Sequence, residues 1–200
     1  MYRLYNKPEC PFCWPVRIAL AEAKLPFEQI TLADDDDRAP LRELSPVATM
    51  PILMVNEEAI WESTVILEYL HEVTHSLLLP ESPIAQAQAR LVASYHNILG
   101  KHLREVVFEK RTKAQADWNW QRIELGEHLW REGLDWLEAK LSGAEFFMCD
   151  FGIAECSLYP RFALAEYYGV GVDSRHPDLL RWYEGLKQRP SCLAALPENW

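Results

Sequence analysis

No stretch of the 200-residue chain approaches the length of an apolar helix able to cross a bilayer. Met1-Tyr2-Arg3-Leu4 runs on to Lys7, Pro8 and Glu9 without the apolar core of a secretory leader, so the expected address is the cytosol. Positive charge is scarce too, with 20 Lys and Arg against 30 Asp and Glu and a formal net charge of -10. Phosphate backbones and anionic lipid surfaces are met by clustered cations, so neither nucleic acid nor membrane is an expected partner. An anionic ligand must find a local site. The five cysteines, at 10, 13, 149, 156 and 192, form an odd and unevenly spaced set, which argues against a secreted disulfide framework. No internal repeat or low-complexity tract is present, and the acidic run Asp34 to Asp37 reads as a solvated loop.

What is present is ordinary globular composition, 49% apolar and 25% charged. The first part alternates strand and helix signals. A strand is expected around Tyr2 to Tyr5, a helix through Val16 to Ala23 and a strand from Phe27 to Leu32. A helical piece near Leu41 follows, then a strand at Ile52 to Val55, a turn at Asn56 to Glu58 and a helix from Glu62 to about Val73. Such alternation predicts an α/β sheet with helices on its faces. Pro80, Ser82 and Pro83 interrupt the pattern, and strand signals stop there. The expected division is therefore an α/β domain over 1–78, a linker over 79–83 and an all-helical domain over 84–200.

In that second part Ile84, Ala87, Leu91, Tyr95, Ile98, Leu99, Leu103 and Val106 follow helical spacing, as do Ile123, Trp130, Leu134, Leu137 and Leu141. Further helices are expected at Ile153 to Tyr167 and Pro177 to Lys187. The tryptophans at 118, 120, 130, 136 and 182 read as core or inter-helix packing.

Cys10 and Cys13 stand where the first strand gives way to the first helix, three apart and so on one turn. Unpaired N–H groups and the helix dipole at that end favour a thiolate. Cys10, the outer sulfur, is the expected nucleophile, with Cys13 one turn inward to resolve a mixed disulfide. Pro11 suits a first helical position, whereas Pro15 points to a start nearer Cys13. A CxxC pair is also half a zinc site, but Cys149 and Cys156 are seven apart and distant in sequence, so redox chemistry is favoured and no metal is expected. His71-Glu72-Val73-Thr74-His75 matches HExxH, the pattern of zinc proteases. It falls on the last turn of a helix, where histidine has a dipole explanation, and no third ligand follows in an obvious motif.

CPFCWPVRIAL near the start, ATMPIL at 48–53 and WESTVILEYL at 61–70 together resemble the glutathione S-transferase superfamily. The cysteine at position 10 resembles the omega class and the two-domain, glutaredoxin-2-like members, and the retained Cys13 is closer to the latter. This resemblance implies a thioredoxin-like domain followed by a helical domain, a cytoplasmic homodimer, and glutathione as cosubstrate. It implies a glutathione site of Phe12, Arg38, Met50, Pro51, Glu62 and Ser63. Pro51 is the family's cis-proline, beside which the Met50 main chain pairs with the cysteinyl unit. Ser63 and the N–H groups at the start of its helix suit the γ-glutamyl carboxylate, and Glu62 suits the ammonium. Arg38 is the nearest cation for the glycyl carboxylate.

The segment Cys149 to Cys156 resembles the family's helix-capping segment but carries Gly152 and Glu155 where Ser or Thr and Asp are usual. Glu155 can still reach back to the Gly152 N–H, while the reciprocal side-chain bond is lost. Cys149 and Cys156 read as structural.

The activity implied is thiol transfer or disulfide reduction on a small-molecule or protein disulfide. Conjugation of glutathione to electrophiles is the second enzymatic reading, and it normally uses a Ser or Tyr hydroxyl, for which Tyr5 is weakly placed. A non-catalytic binding role is the third, as in the superfamily's stringent starvation proteins or its chloride intracellular channel relatives, and the intact CPFC with Glu62 and Ser63 favours an enzyme over both. The acceptor pocket is expected among helical-domain residues such as Tyr95, His102 and Trp118.

Overall fold

The computed structural model describes residues 1–32, 38–74 and 78–197. Packing divides the chain into two units, Met1–Leu79 joined by the segment from Gln188, and Pro80–Lys187. The helical unit thus stops short of the expected 84–200. Its last stretch returns to the first unit, because a short helix, α9 (Pro190–Ala194), packs on α1 (Cys13–Glu22).

In the first unit, strands β1 (Tyr2–Tyr5), β2 (Phe27–Ile30), β3 (Ile52–Val55) and β4 (Glu58–Trp61) form one sheet in the order β2-β1-β3-β4. β1 runs parallel to β2 and antiparallel to β3, and β4 is antiparallel to β3. Alternate residues of β3 point to opposite faces. Ile52 and Met54 cluster with Leu41 on one face, Leu53 points to the other, and all are buried. A strand covered on both sides reads as the continuous apolar run Ile-Leu-Met-Val. β4 was not expected; only the turn before it was, and there Asn56 takes the positive φ (57°) that its side chain tolerates.

α1 begins at Cys13, the start to which Pro15 pointed, and leaves Pro11 in the preceding turn. Pro15 then falls in the first helical turn, where a backbone N–H has no intrahelical partner to lose. Every residue from Cys13 to Leu20 is buried, since α3 (Ser63–Val73) and α9 both pack on this helix. A short α2 (Ala39–Arg42) completes the unit.

The second unit is helical. The first expected run breaks at Tyr95 into α4 (Pro83–Ser94) and α5 (His96–Thr112), followed by α6 (Trp120–Leu141), α7 (Ile153–Tyr167) and α8 (Pro177–Lys187). α5 and α6 approach closely at Gly126, where a Cβ would lie 2.8 Å from the Val106 side chain and 3.0 Å from the His102 carbonyl. α7 is buried from Ile153 through Ala165 and forms the centre of the unit. Trp130 and Trp182 pack edge-on against its Phe162, with ring centroids 5.4 and 4.9 Å away. Trp120 and Trp136 are exposed rather than in the core, although Trp136 packs on the Tyr95 ring. Among the described residues, no helix is long and apolar enough to cross a membrane.

The start of α7 is held by Glu155. One carboxylate oxygen accepts the Gly152 N–H at 3.0 Å, the other the Phe147 N–H at 2.9 Å. The side chain is fully buried, and burial pushes its pKa up to about 7 against the pull of those two bonds.

Candidate active site

The loop leaving β1 delivers Cys10 to the start of α1. The Cys10 N–H donates to the Lys7 carbonyl at 3.0 Å, and the Cys10 carbonyl accepts the N–H groups of Cys13 and Trp14, each at 3.0 Å. This corrects the expectation of unpaired donors at the helix start. Two of the first three N–H groups are taken by the backbone of Cys10 itself, and Pro15 has none.

The two sulfurs have different environments. Cys10 is partly exposed and Cys13 is fully buried. Burial pushes the Cys13 thiol well above its ordinary pKa, and a hydrogen bond to Cys10 and the charge on Cys10 push it further, against the Lys7 backbone and the Arg17 charge. Cys13 therefore holds its proton beside the outer sulfur. All five cysteines are free thiols, with Cys149 exposed and Cys156 and Cys192 buried.

Cys10 opens onto a cavity of about 380 Å³ within the first unit, lined also by Phe12, Arg38, Met50, Pro51, Glu62 and Ser63. These six were brought forward by sequence, and the fold gathers them from the start of α1, the segment before α2, the loop before β3 and the start of α3. Cys13 lies behind the wall rather than in it. Lys7 and Thr49 complete the lining and escaped the sequence reading. Their only signal was adjacency, three residues before Cys10 and two before Pro51.

The Met50–Pro51 peptide is cis. Glu62 has φ 69° and ψ 117°, a region that residues with side chains seldom take and that costs on the order of 1–3 kcal/mol. From there its carbonyl accepts the Ile66 N–H at 3.0 Å, and the buried Ser63 begins α3. The N-terminus of an 11-residue helix thus meets the cavity beside a carboxylate, with two cations, Lys7 and Arg38, also on the wall. Such a lining suits a ligand carrying carboxylates and an ammonium.

Sites outside the cavity carry less. His71 is buried with its Nδ1 unpaired, while His75 and the run Asp34 to Asp37 lie outside the described residues. Among the described residues no group of three or more His, Cys, Asp or Glu is placed to hold a metal. In the second unit the Tyr95 ring lies 4.6 Å from that of Trp136, and the Trp118 indole N–H donates to the Lys113 carbonyl at 3.1 Å.

The profile of a family described as "Glutathione S-transferase, N-terminal domain" matches residues 4–75. A probable maleylacetoacetate isomerase of Caenorhabditis elegans is 32% identical over 98% of this chain and 93% of its own. The chain belongs to the glutathione S-transferase superfamily. A stringent starvation protein A homolog of Coxiella burnetii is 30% identical over 98% of this chain and 91% of its own. Among solved structures, a glutathione S-transferase of Methylobacterium radiotolerans in complex with glutathione sulfonate matches with a TM-score of 0.82. That match covers 100% of this chain and 96% of the other at 24% identity. The first unit is accordingly the superfamily's thioredoxin-like domain and the second its helical domain.

Proposed function

We propose that this superfamily member is a cytosolic, glutathione-dependent thiol transferase of the omega or glutaredoxin-2 kind, with Cys10 as nucleophile. The observation that carries the reading is the placement of a partly exposed Cys10 on a cavity whose wall offers two cations, a carboxylate and a helix N-terminus, with protonated Cys13 behind it.

Glutathione lies along that wall. Ser63 and the first N–H groups of α3 take its γ-glutamyl carboxylate, Glu62 its ammonium, the Met50 main chain its cysteinyl unit, and Arg38 with Lys7 its glycyl carboxylate, while Phe12 covers it. The Cys10 thiolate attacks the glutathionyl sulfur of a mixed disulfide. A bond forms between Cys10 and that sulfur, the old S–S bond breaks, and the partner leaves as a thiolate. A second glutathione thiolate then attacks the same sulfur, releasing glutathione disulfide and restoring Cys10. Protein disulfides need Cys13 as well, which must first lose its proton.

Conjugation to electrophiles is the second reading, resting on the family alone. Tyr5, the hydroxyl it needs, packs instead against the Leu41, Ile52 and Met54 cluster. A non-catalytic role is the third, and the name of the Coxiella relative keeps it in view. We also read the protein as a homodimer, in keeping with Ile84, Leu91 and Ile98, which recur every seven residues along α4 and α5 and stay exposed.

The deciding experiment compares turnover of a glutathione mixed disulfide with aromatic conjugation on one purified sample, alongside two variants. Cys10→Ser is expected to abolish disulfide exchange. Cys13→Ser is expected to keep most of it on glutathionylated substrates and to lose most reduction of protein disulfides. Full exchange in Cys10→Ser refutes the mechanism.

A further inference from the structure

Arg17 stands inside the most thoroughly buried helix of the first unit and is itself only 4% exposed. Among the described residues its guanidinium makes five hydrogen bonds, all to uncharged acceptors. Nε and Nη2 donate to the Ala195 carbonyl at 3.2 and 2.9 Å. Nη1 donates to Asn6 Oδ1 at 2.5 Å and to the Lys7 carbonyl at 3.4 Å, and Nη2 also reaches the Pro8 carbonyl at 2.6 Å. One side chain thus holds three consecutive residues of the loop that leads to Cys10. The Lys7 carbonyl, in turn, holds the Cys10 N–H.

The remaining acceptor is 178 residues away in sequence. It belongs to the C-terminal segment, which is fixed a second time where Arg189 pairs with Glu22 of α1, at 3.0 and 2.5 Å. Arg17 also couples electrostatically to the sulfurs. Burial draws its pKa down to about 10, and negative charge on Cys13 and Cys10 pushes it back up.

We propose that the C-terminal segment from Gln188 to Pro197 is a working part of the thiol site, with Arg17 as the positioning residue that couples its docking to the reactivity of Cys10. With the Ala195 carbonyl in place, the guanidinium stays beneath the loop and its charge favours the Cys10 thiolate. When the segment leaves, two N–H donors lose their buried partner, and the arginine no longer has a fixed place. Among the described residues the other charged and titratable groups around Cys10 are Lys7, Arg38 and Glu62 on the cavity wall, Glu9 before it in the chain and Cys13 behind, so the test must isolate Arg17 from them.

The inference rests on Cys10 being the reactive thiol but not on glutathione chemistry, so its test uses iodoacetamide alone. The rate of Cys10 alkylation in the full-length protein, followed by mass spectrometry across pH, yields a thiolate midpoint. Arg17→Gln is expected to raise that midpoint by about one unit, making alkylation about tenfold slower below both midpoints. Arg17→Lys keeps the charge with fewer donors and is expected to restore part of the midpoint.

In both variants, amide hydrogen exchange at residues 191–196 is expected to quicken about tenfold. Deleting residues 190–200 is expected to raise the midpoint as Arg17→Gln does, and combining the two changes to add nothing more. Should the deletion fail to fold, Glu22→Gln releases the second anchor from outside the cavity and is expected to move the midpoint the same way. Should Arg17→Gln fail to fold, the exchange rate in Arg17→Lys decides. An unchanged midpoint in a folded Arg17→Gln, or unchanged exchange in Arg17→Lys, overturns the proposal. Absent turnover of mixed disulfides by the unmodified protein, together with a shifted midpoint in Arg17→Gln, removes the proposed activity and leaves the coupling standing.

Discussion

Glu155 gives this protein a built-in pH dependence of stability that one substitution can isolate. The carboxyl is fully buried and accepts the Gly152 and Phe147 N–H groups, and burial raises its pKa from an ordinary 4.5 to about 7. Between those values the folded protein keeps a proton that the unfolded chain has released. Stability from this group is therefore fully present below about pH 4.5 and is lost as pH rises through about 7. At about 1.36 kcal/mol per unit, the span from 4.5 to about 7 amounts to roughly 3 kcal/mol.

Glu155→Gln removes the titration. It also leaves one of the two N–H groups facing an NH2, which costs about 1–3 kcal/mol at every pH. The variant is thus expected to be less stable than the parent at pH 4 and to recover by roughly 3 kcal/mol relative to it by pH 8. Urea unfolding of both proteins at intervals across that range measures the difference, in which the other titrating groups cancel. A difference between parent and variant that stays flat from pH 4 to pH 8 refutes the argument.

Other expectations concern the cavity and the assembly. A ligand that binds only the native state stabilises it, so on the proposed function glutathione at 100 times its dissociation constant is expected to stabilise the fold by about 2.7 kcal/mol. Glu62→Ala and Ser63→Ala should each shrink the resulting thermal shift, and no change in either removes the γ-glutamyl assignment. Arg38→Ala is expected to weaken glutathione binding several-fold by calorimetry, with a loss that shrinks as salt is added. Light scattering at micromolar concentration should report twice the 23.2 kDa chain mass, and a monomer alone counts against the dimer.

Most of the first unit was legible because its strands and helices carry strong local signals. Leu4 and the run Ile52 to Val55 mark buried strands, and α1 announces itself by an apolar run from Trp14 to Leu20. β4 was missed because four residues with Glu58 at one end show too little alternation to stand out from the turn before them. α9 was missed for a different reason. Its five residues make sense only against α1, a contact that no local window contains. The break at Tyr95 has neither Gly nor Pro to mark it, so α4 and α5 read as one run.

The cavity was legible to the extent that motifs named its parts, while the electrostatics beneath it were not. A sequence reading assigns the thiolate to free N–H groups at the head of α1. In the folded chain the Cys10 carbonyl already occupies those of Cys13 and Trp14, and Pro15 contributes none. On the proposed mechanism fixed positive charge then carries more of the work, and the groups placed for it are Lys7 and Arg38 on the wall and Arg17 beneath the loop. Arg17 did leave a trace in the sequence, as a lone cation inside the apolar stretch Val16 to Leu20, where burial is costly unless the charge is put to use. An arginine there whose five bonds among the described residues end on neutral acceptors retains its charge for an anion that forms nearby, and the groups whose charge acts on it are Cys13 and Cys10.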